Sequence, residues 1–181
     1  MPIMDSRVDT VQFHIENTIQ SDLSDIHNFF EHSIAYQEAR GYPVWRNYDK
    51  RAIVKDIADG NQYKIVVASI IAMVFSVSYS DAIIWRERDT GNSLYLHRIV
   101  VNPDFKGKRL FGVILKWSIA HCLQKGLKNV RMDTWAQNPM IIEYYKGFGF
   151  KDVENYVTPD AAELPVHNRR LALTLLEYTL D

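Results

Sequence analysis

Residues 94–112 constrain this chain more than any other stretch. Leu94 to Val101 is rich in branched apolar residues, namely Leu94, Leu96, Ile99, Val100 and Val101 with Tyr95 interleaved, and predicts a strand. Asn102-Pro103-Asp104 stops it, because proline cannot donate to a ladder and Asn and Asp favour turns. A short basic turn follows, Lys106-Gly107-Lys108-Arg109, and Leu110 to Lys125 then runs apolar at helical spacing, as at Phe111, Leu115, Ile119 and Cys122. This order sets the free N–H groups and positive dipole end of a helix beside three full charges. The pattern predicts a phosphate or pyrophosphate at residues 106–112, although solvated lysines on a plain strand-to-helix turn would produce it too.

The remaining elements are read on either side of that core. Met1 to Asp9 is expected to be a loose leader, and Val11 to Glu16 alternates as a first strand. Ser21 or Asp22 is expected to cap a helix carrying Leu23, Ile26, Phe29, Phe30 and Ile34, which stops near Gly41-Tyr42-Pro43. Asp49 caps a second helix that reaches about Asp59-Gly60. Tyr63 to Val67 and Ile70 to Tyr79 read as paired strands, with weak turn chemistry at Ala68-Ser69. Asp81 to Ser93 is expected to be a polar loop or hairpin tip. Gly126 ends the central helix. Asn129 to Asp133 reads as a strand, Asn138 to Lys146 as a helix, Phe150 to Val157 as a strand, and Leu171 to Tyr178 as a closing strand after a loop. Such mixing predicts one α/β domain over residues 1–181, three-layered, with a mixed, mostly antiparallel sheet of about seven strands flanked by about four helices.

Composition excludes several functions. The net charge of −1 argues against a general nucleic-acid binder. No window approaches the run of about 20 apolar residues needed for a membrane helix, and Met1 to Gln20 lacks the apolar core of a signal peptide. One cysteine, Cys122, forbids an internal disulfide and suits a reducing cytoplasm; its place on an apolar helix face marks it as a core residue. The six histidines (His14, His27, His32, His97, His121 and His167) lack metal-ligand spacing, so no metal is expected.

Two motifs carry a resemblance. Val101-Asn102-Pro103, Phe105 and the basic turn into a helix, followed by Asn138, Tyr145 and Gly149-Phe150 at their spacing, resemble the GNAT acyltransferases. The likeness is strong over residues 94–156 and extends elsewhere only through element order. Arg109 and Phe111 depart from it, standing where the pattern wants Gly and Gly or Ala. The resemblance implies acetyl-CoA as cofactor and direct transfer of acetyl, in a ternary complex, to a primary amine of a small molecule or peptide.

The resemblance also implies roles. Tyr145 stands at the position of the general acid, and a phenol has a proton to give a leaving thiolate. His97 stands where some members relay the amine proton; a half-buried histidine bonded to a neighbour is the alternative, and Glu143 and Asp133 are carboxylate alternatives. Ile99, Val100 and Val101 would pair with the pantetheine amides through their backbone. Lys106, Gly107, Lys108, Arg109, Leu110, Phe111 and Gly112 would surround the pyrophosphate, with Asn138 and Tyr144 also near the cofactor. Tyr42, Trp45, Tyr95 and Trp135 are acceptor-side candidates, Tyr95 as holder of a relaying water on the face it would share with His97, Ile99 and Val101. A homodimer is common in the family. Two rival readings stand beside transfer: a non-catalytic acyl-CoA-binding or sensing domain on this fold, and an interaction module without cofactor.

Overall fold

The structure, a computed structural model, describes residues 13–44, 48–164 and 166–180. The expected leader, Val11 and Trp45 lie outside them.

Among the described residues seven strands form one sheet in the order β1-β2-β3-β4-β5-β7-β6. They are β1 (Phe13–Asn17), β2 (Gln62–Val67), β3 (Ile70–Ser78), β4 (Ser93–Val101), β5 (Asn129–Trp135), β6 (Lys151–Val157) and β7 (Ala172–Thr179). Every neighbouring pair is antiparallel except β4 with β5. The helices are α1 (Leu23–Glu38), α2 (Lys50–Ala58), α3 (Ala82–Trp85), α4 (Phe111–Lys125) and α5 (Pro139–Lys146). Among the described residues no helix is long and apolar enough to cross a membrane.

Strand alternation divides the core between two faces. On one, Met73, Phe75 and Val77 of β3 and Val130 and Met132 of β5 pack with Phe111, Ile114, Leu115 and Cys122 of α4 and Tyr145 of α5. On the other, Val74 and Val100 meet Ile26, Phe29 and Phe30 of α1 and Ile53 of α2. Farther along that second face, Trp85 of α3 packs on Tyr95, Leu173 and Leu175. Cys122 is a core residue as expected, and burial pushes its thiol up to about 11.

Two local expectations are corrected. Asp22 does not cap α1 through its side chain; its carboxylate takes the Ile19 N–H at 2.8 Å and the buried Lys64 ammonium at 2.8 Å. Residues 81–93 are no polar tip. They form α3 and a 3-10 turn, Arg86–Arg88, because Trp85 is fully buried against Tyr95 and pulls the segment onto the sheet. The β2–β3 turn is tight despite its plain chemistry, with Ala68 and Ser69 both at positive φ (47° and 68°). Asp49 caps α2 as expected, accepting from the N–H groups of Arg51 and Ala52. Gly126 closes α4 in the left-handed conformation, φ 68°, that glycine reaches without a Cβ clash.

Candidate active site

The site begins with a fault in β4. From β3 to β4 the register runs Ser76 to His97 and then Val74 to Val100, so β4 spends one extra residue. That residue is a bulge at Arg98, with φ 50°. A bulge moves every later side chain to the opposite face. Leu94 and Leu96 before it, and Ile99 and Val101 after it, therefore share the α4 face, while Tyr95, His97 and Val100 lie on the other. The expectation that His97 shares a face with Ile99 and Val101 is overturned.

The second fault lies between β4 and β5. Their parallel pairing covers Ser93, Leu94 and Tyr95 against Asn129, Val130 and Arg131, and ends there. Beyond it, among the described residues, the edge of β4 from His97 to Val101 has no neighbouring strand on that side. A cavity of about 350 Å³ opens at this gap. Leu96, Met132 and Tyr145 reach it from the α4–α5 face; Phe30, Tyr48, Asp81, Ile84 and His97 reach it from the other. The gap thus runs through the sheet, with access from both sides.

Where the freed edge of β4 ends, at Val101, the chain runs into the basic turn, the donor mouth of the site. Asn102 caps a short 3-10 helix, Pro103–Phe105, by accepting the Asp104 N–H at 3.1 Å. Among the described residues, the N–H groups of Gly107, Arg109 and Leu110 have no acceptor, while the Phe111 N–H donates to the Tyr144 phenol oxygen. These orphan donors at the start of a fifteen-residue helix make an anion cradle. Arg109 takes the left-handed conformation at φ 52°, the geometry a glycine would adopt. The Phe111 ring is fully buried, 4.8 Å from the Tyr145 ring and 5.2 Å from that of Phe148, so it lies in the core and off the cradle. Both departures from the glycine pattern therefore leave the N–H groups of Gly107, Arg109 and Leu110 open. Of the basic side chains, Lys106 lies over the Tyr36 ring, Lys108 is 5.0 Å from that of Phe105, and Arg109 is 4.8 Å from that of Phe148. The cradle suits a pyrophosphate, and the open β4 edge suits an amide-bearing chain that would pair along it. Acetyl-CoA carries both.

Asn138 caps α5, accepting the Ile141 N–H at 3.3 Å, and is itself buried. That cap aims Tyr145 into the gap and leaves the half-buried Tyr144 against Phe148, 5.2 Å between rings. Burial, with the Tyr144 hydroxyl beside it, raises the Tyr145 phenol well above its ordinary range, so it stays protonated.

On the other face two carboxylates and an imidazole converge. Asp81, His97 and Asp133 place their side-chain donor atoms within 4.8 Å of one another. Asp81 precedes α3 and is held there by Asp89, which accepts the Asp81 N–H at 3.0 Å and the Tyr95 hydroxyl at 2.7 Å. His97 Nε2 lies 2.9 Å from the Ser78 hydroxyl. Burial, together with the Arg98 charge, pushes its imidazole down to about 3. Burial and the neighbouring Asp133 push Asp81 up to about 7, and burial pushes Asp133 to about 6.

Other candidates lie elsewhere. Tyr95 is fully buried, and its hydroxyl is shared by Asp89 and, at 3.1 Å, Arg131; it packs against Trp85 of α3 and does not line the cavity. Tyr42 donates to the Met140 sulfur at 2.9 Å and does not line the cavity. Trp135 does line it. Asp81 is the functional candidate that the sequence did not suggest; its signal was the Trp85 four residues on, which draws the segment against the sheet.

Comparison with known proteins follows this geometry. The sequence profile described as the acetyltransferase (GNAT) family matches residues 18–150. An uncharacterized N-acetyltransferase of Methanocaldococcus jannaschii is 30% identical over 59 residues, 33% of this chain, and the match spans 26% of that protein's length. A GNAT-family acetyltransferase structure from Listeria monocytogenes superposes with a TM-score of 0.75 at 16% identity, covering 94% of this chain and 96% of the other. A Salmonella typhimurium acetyltransferase structure with its cofactor acetyl-CoA gives 0.65 at 17% identity, covering 94% and 95%.

Proposed function

The chain belongs to the GNAT acetyltransferase family, whose cofactor is acetyl-CoA, and from that premise we propose that it transfers acetyl to a primary amine by direct transfer in a ternary complex. The observation that carries this reading is the gap between β4 and β5, with an anion cradle where the freed β4 edge runs on into α4 and an acidic chamber in the cavity. When bound, acetyl-CoA supplies a thioester whose carbonyl accepts the amine and whose sulfur leaves as a thiol. The N–H groups of Gly107, Arg109 and Leu110 hold its pyrophosphate, aided by Lys106, Lys108, Phe111 and Gly112 around it, and the freed edge at Ile99, Val100 and Val101 pairs with its pantetheine amides. Asn138 and Tyr144 position the α5 wall.

Tyr145 serves as the general acid, since burial delivers its phenol to the reaction with the proton still on the oxygen. The assignment of His97 as base is revised. An imidazole held near 3 is a poor acceptor for an ammonium proton, whereas two carboxylates held near 6 and 7 beside it are better matched to neutral pH. The Asp81–Asp133 pair takes the proton, and neutral His97 orients the pair.

Calorimetric titration with acetyl-CoA, followed by thiol release over a panel of primary amines, tests the reading. Micromolar, salt-weakened binding with amine-dependent thiol release is the expected result. Binding without release on any amine would favour the sensing domain, a reading that the Arg109 and Phe111 departures raise. No binding would leave an interaction module.

A further inference from the structure

We propose that the acceptor is a compact primary amine bound as its ammonium ion and lacking a carboxylate, with Asp81 as the residue that selects for charge. This rests on the transferase reading of the same cavity.

The argument starts from charge. Among the described lining residues, the carboxylates are Asp49, Asp81 and Asp133, and the only full cation is Arg98. Arg98 is already committed, its Nε donating to Asp56 of α2 at 2.9 Å. The Asp49 carboxylate is occupied by the N–H groups of Arg51 and Ala52. Asp81 and Asp133 form no ion pair among the described residues; Asp81 accepts the Ile84 N–H and feels the Arg98 charge without pairing with it. Two close, poorly solvated carboxylates without a counter-ion are costly unless a proton or a cation joins them. The other titratable groups facing them are His97, which stays neutral, Tyr145 across the gap, Tyr48, and Asp89 behind Asp81. An incoming ammonium supplies the missing charge and brings the proton that must be removed.

Size and wall chemistry narrow the class. The volume of about 350 Å³ sits at the low end of small-ligand pockets, about 300–1,000 Å³, and the acetyl end of the donor shares it. Phe30, Tyr48, Ile84, Trp135 and Leu173 make the remaining wall aromatic and aliphatic. A free amino acid would bring its carboxylate against Asp81 and Asp133 with no cation free to receive it. A long polycation would find few further anions in the chamber.

Three probes of one shape separate these effects: phenethylamine, phenylalaninamide and phenylalanine. With acetyl-CoA, kcat/KM for phenethylamine should exceed that for phenylalanine by at least about a hundredfold, with the uncharged amide between, because like charges placed together are strongly rejected. Asp81→Asn should raise the phenethylamine KM at least about tenfold, the scale of losing a charged hydrogen-bond partner. Calorimetric binding of phenethylamine to the CoA complex gives a readout independent of turnover, and Asp81→Asn should weaken it by the same factor. Equal use of phenylalanine and phenethylamine, or phenethylamine binding unchanged by Asp81→Asn, would overturn the inference. Phenethylamine that binds through Asp81 but is never acetylated would sink the transferase reading, and with it the amine's role as acceptor, and leave only a charge-selecting amine site. No binding of phenethylamine at all would overturn the charge-selection inference.

Discussion

The two mouths of the gap are built by different means. The donor mouth is one continuous stretch, residues 102–112, which presents backbone N–H groups at the start of α4. The acceptor mouth gathers side chains from Asp81 before α3, His97 on β4 and Asp133 on β5, with Tyr48 ahead of α2. A main-chain cradle is indifferent to many side-chain exchanges, because its donors belong to every residue type except proline. A side-chain chamber depends on each identity and on the register that brings the parts together. Function at the donor mouth should therefore tolerate substitution, and function at the acceptor mouth should not.

The largest expected effect falls where the two mouths meet. Tyr145→Phe should lower turnover about 10²–10⁴-fold, the range for a general acid, while acetyl-CoA affinity stays within a few fold. An unchanged turnover number would remove Tyr145 from the chemistry and leave it as packing. Next in size is a test of what supports the cradle. Phe111 is the hub of the rings of Tyr144, Tyr145, Phe148 and Phe150, so Phe111→Ala should cost about 3–5 kcal/mol of stability in denaturant unfolding. A loss below about 1 kcal/mol would show that the ring is not a core element and that its distance from the cradle needs another account.

A third test concerns pH and the acceptor mouth alone. Asp81 and Asp133 have folded pKa values raised to about 7 and about 6, so the folded state holds their protons more tightly than the unfolded state does. Their contribution to stability is present below the unfolded carboxylate range and is lost as pH rises toward 7. His97, lowered to about 3, acts in the opposite sense, adding stability as pH rises from about 3 through the ordinary imidazole range. The difference between wild type and Asp81→Asn isolates the first term. The variant should gain stability relative to wild type as pH rises from 4 to 7 (thermal unfolding at several pH values measures this), and a flat difference would mean that Asp81 is solvated. The smallest effect is expected at the cradle. Arg109→Gly relieves a left-handed residue at a cost of about 1–2 kcal/mol but loosens the unfolded chain, so stability should move by less than about 1 kcal/mol. Acetyl-CoA affinity should fall less than about tenfold, since one exposed charge is worth little beside the N–H groups. A greater loss would mean that the guanidinium, not the backbone, holds the phosphates.

The sequence by itself determined the elements and the donor mouth. Branched residues from Leu94 to Val101, the Asn102-Pro103 stop, the basic turn and the Asn138 cap act within a few residues, through propensity, capping and orphan N–H groups. The family resemblance rested on those same local patterns, and the profile match agrees with it. Tertiary structure alone decided which side chains meet. One extra residue at Arg98 reversed the faces beyond His97, and simple alternation could not foresee it. Burial of Trp85 turned an apparently polar tip into a helix that delivers Asp81, and the network of Asp89 and Arg131 claimed the Tyr95 hydroxyl for packing. The divergence of β4 from β5 after three residue pairs opened the cavity itself. Local rules set backbone conformation, whereas the acidic chamber depends on register and on contacts between residues as far apart as 81 and 133, which no local pattern encodes.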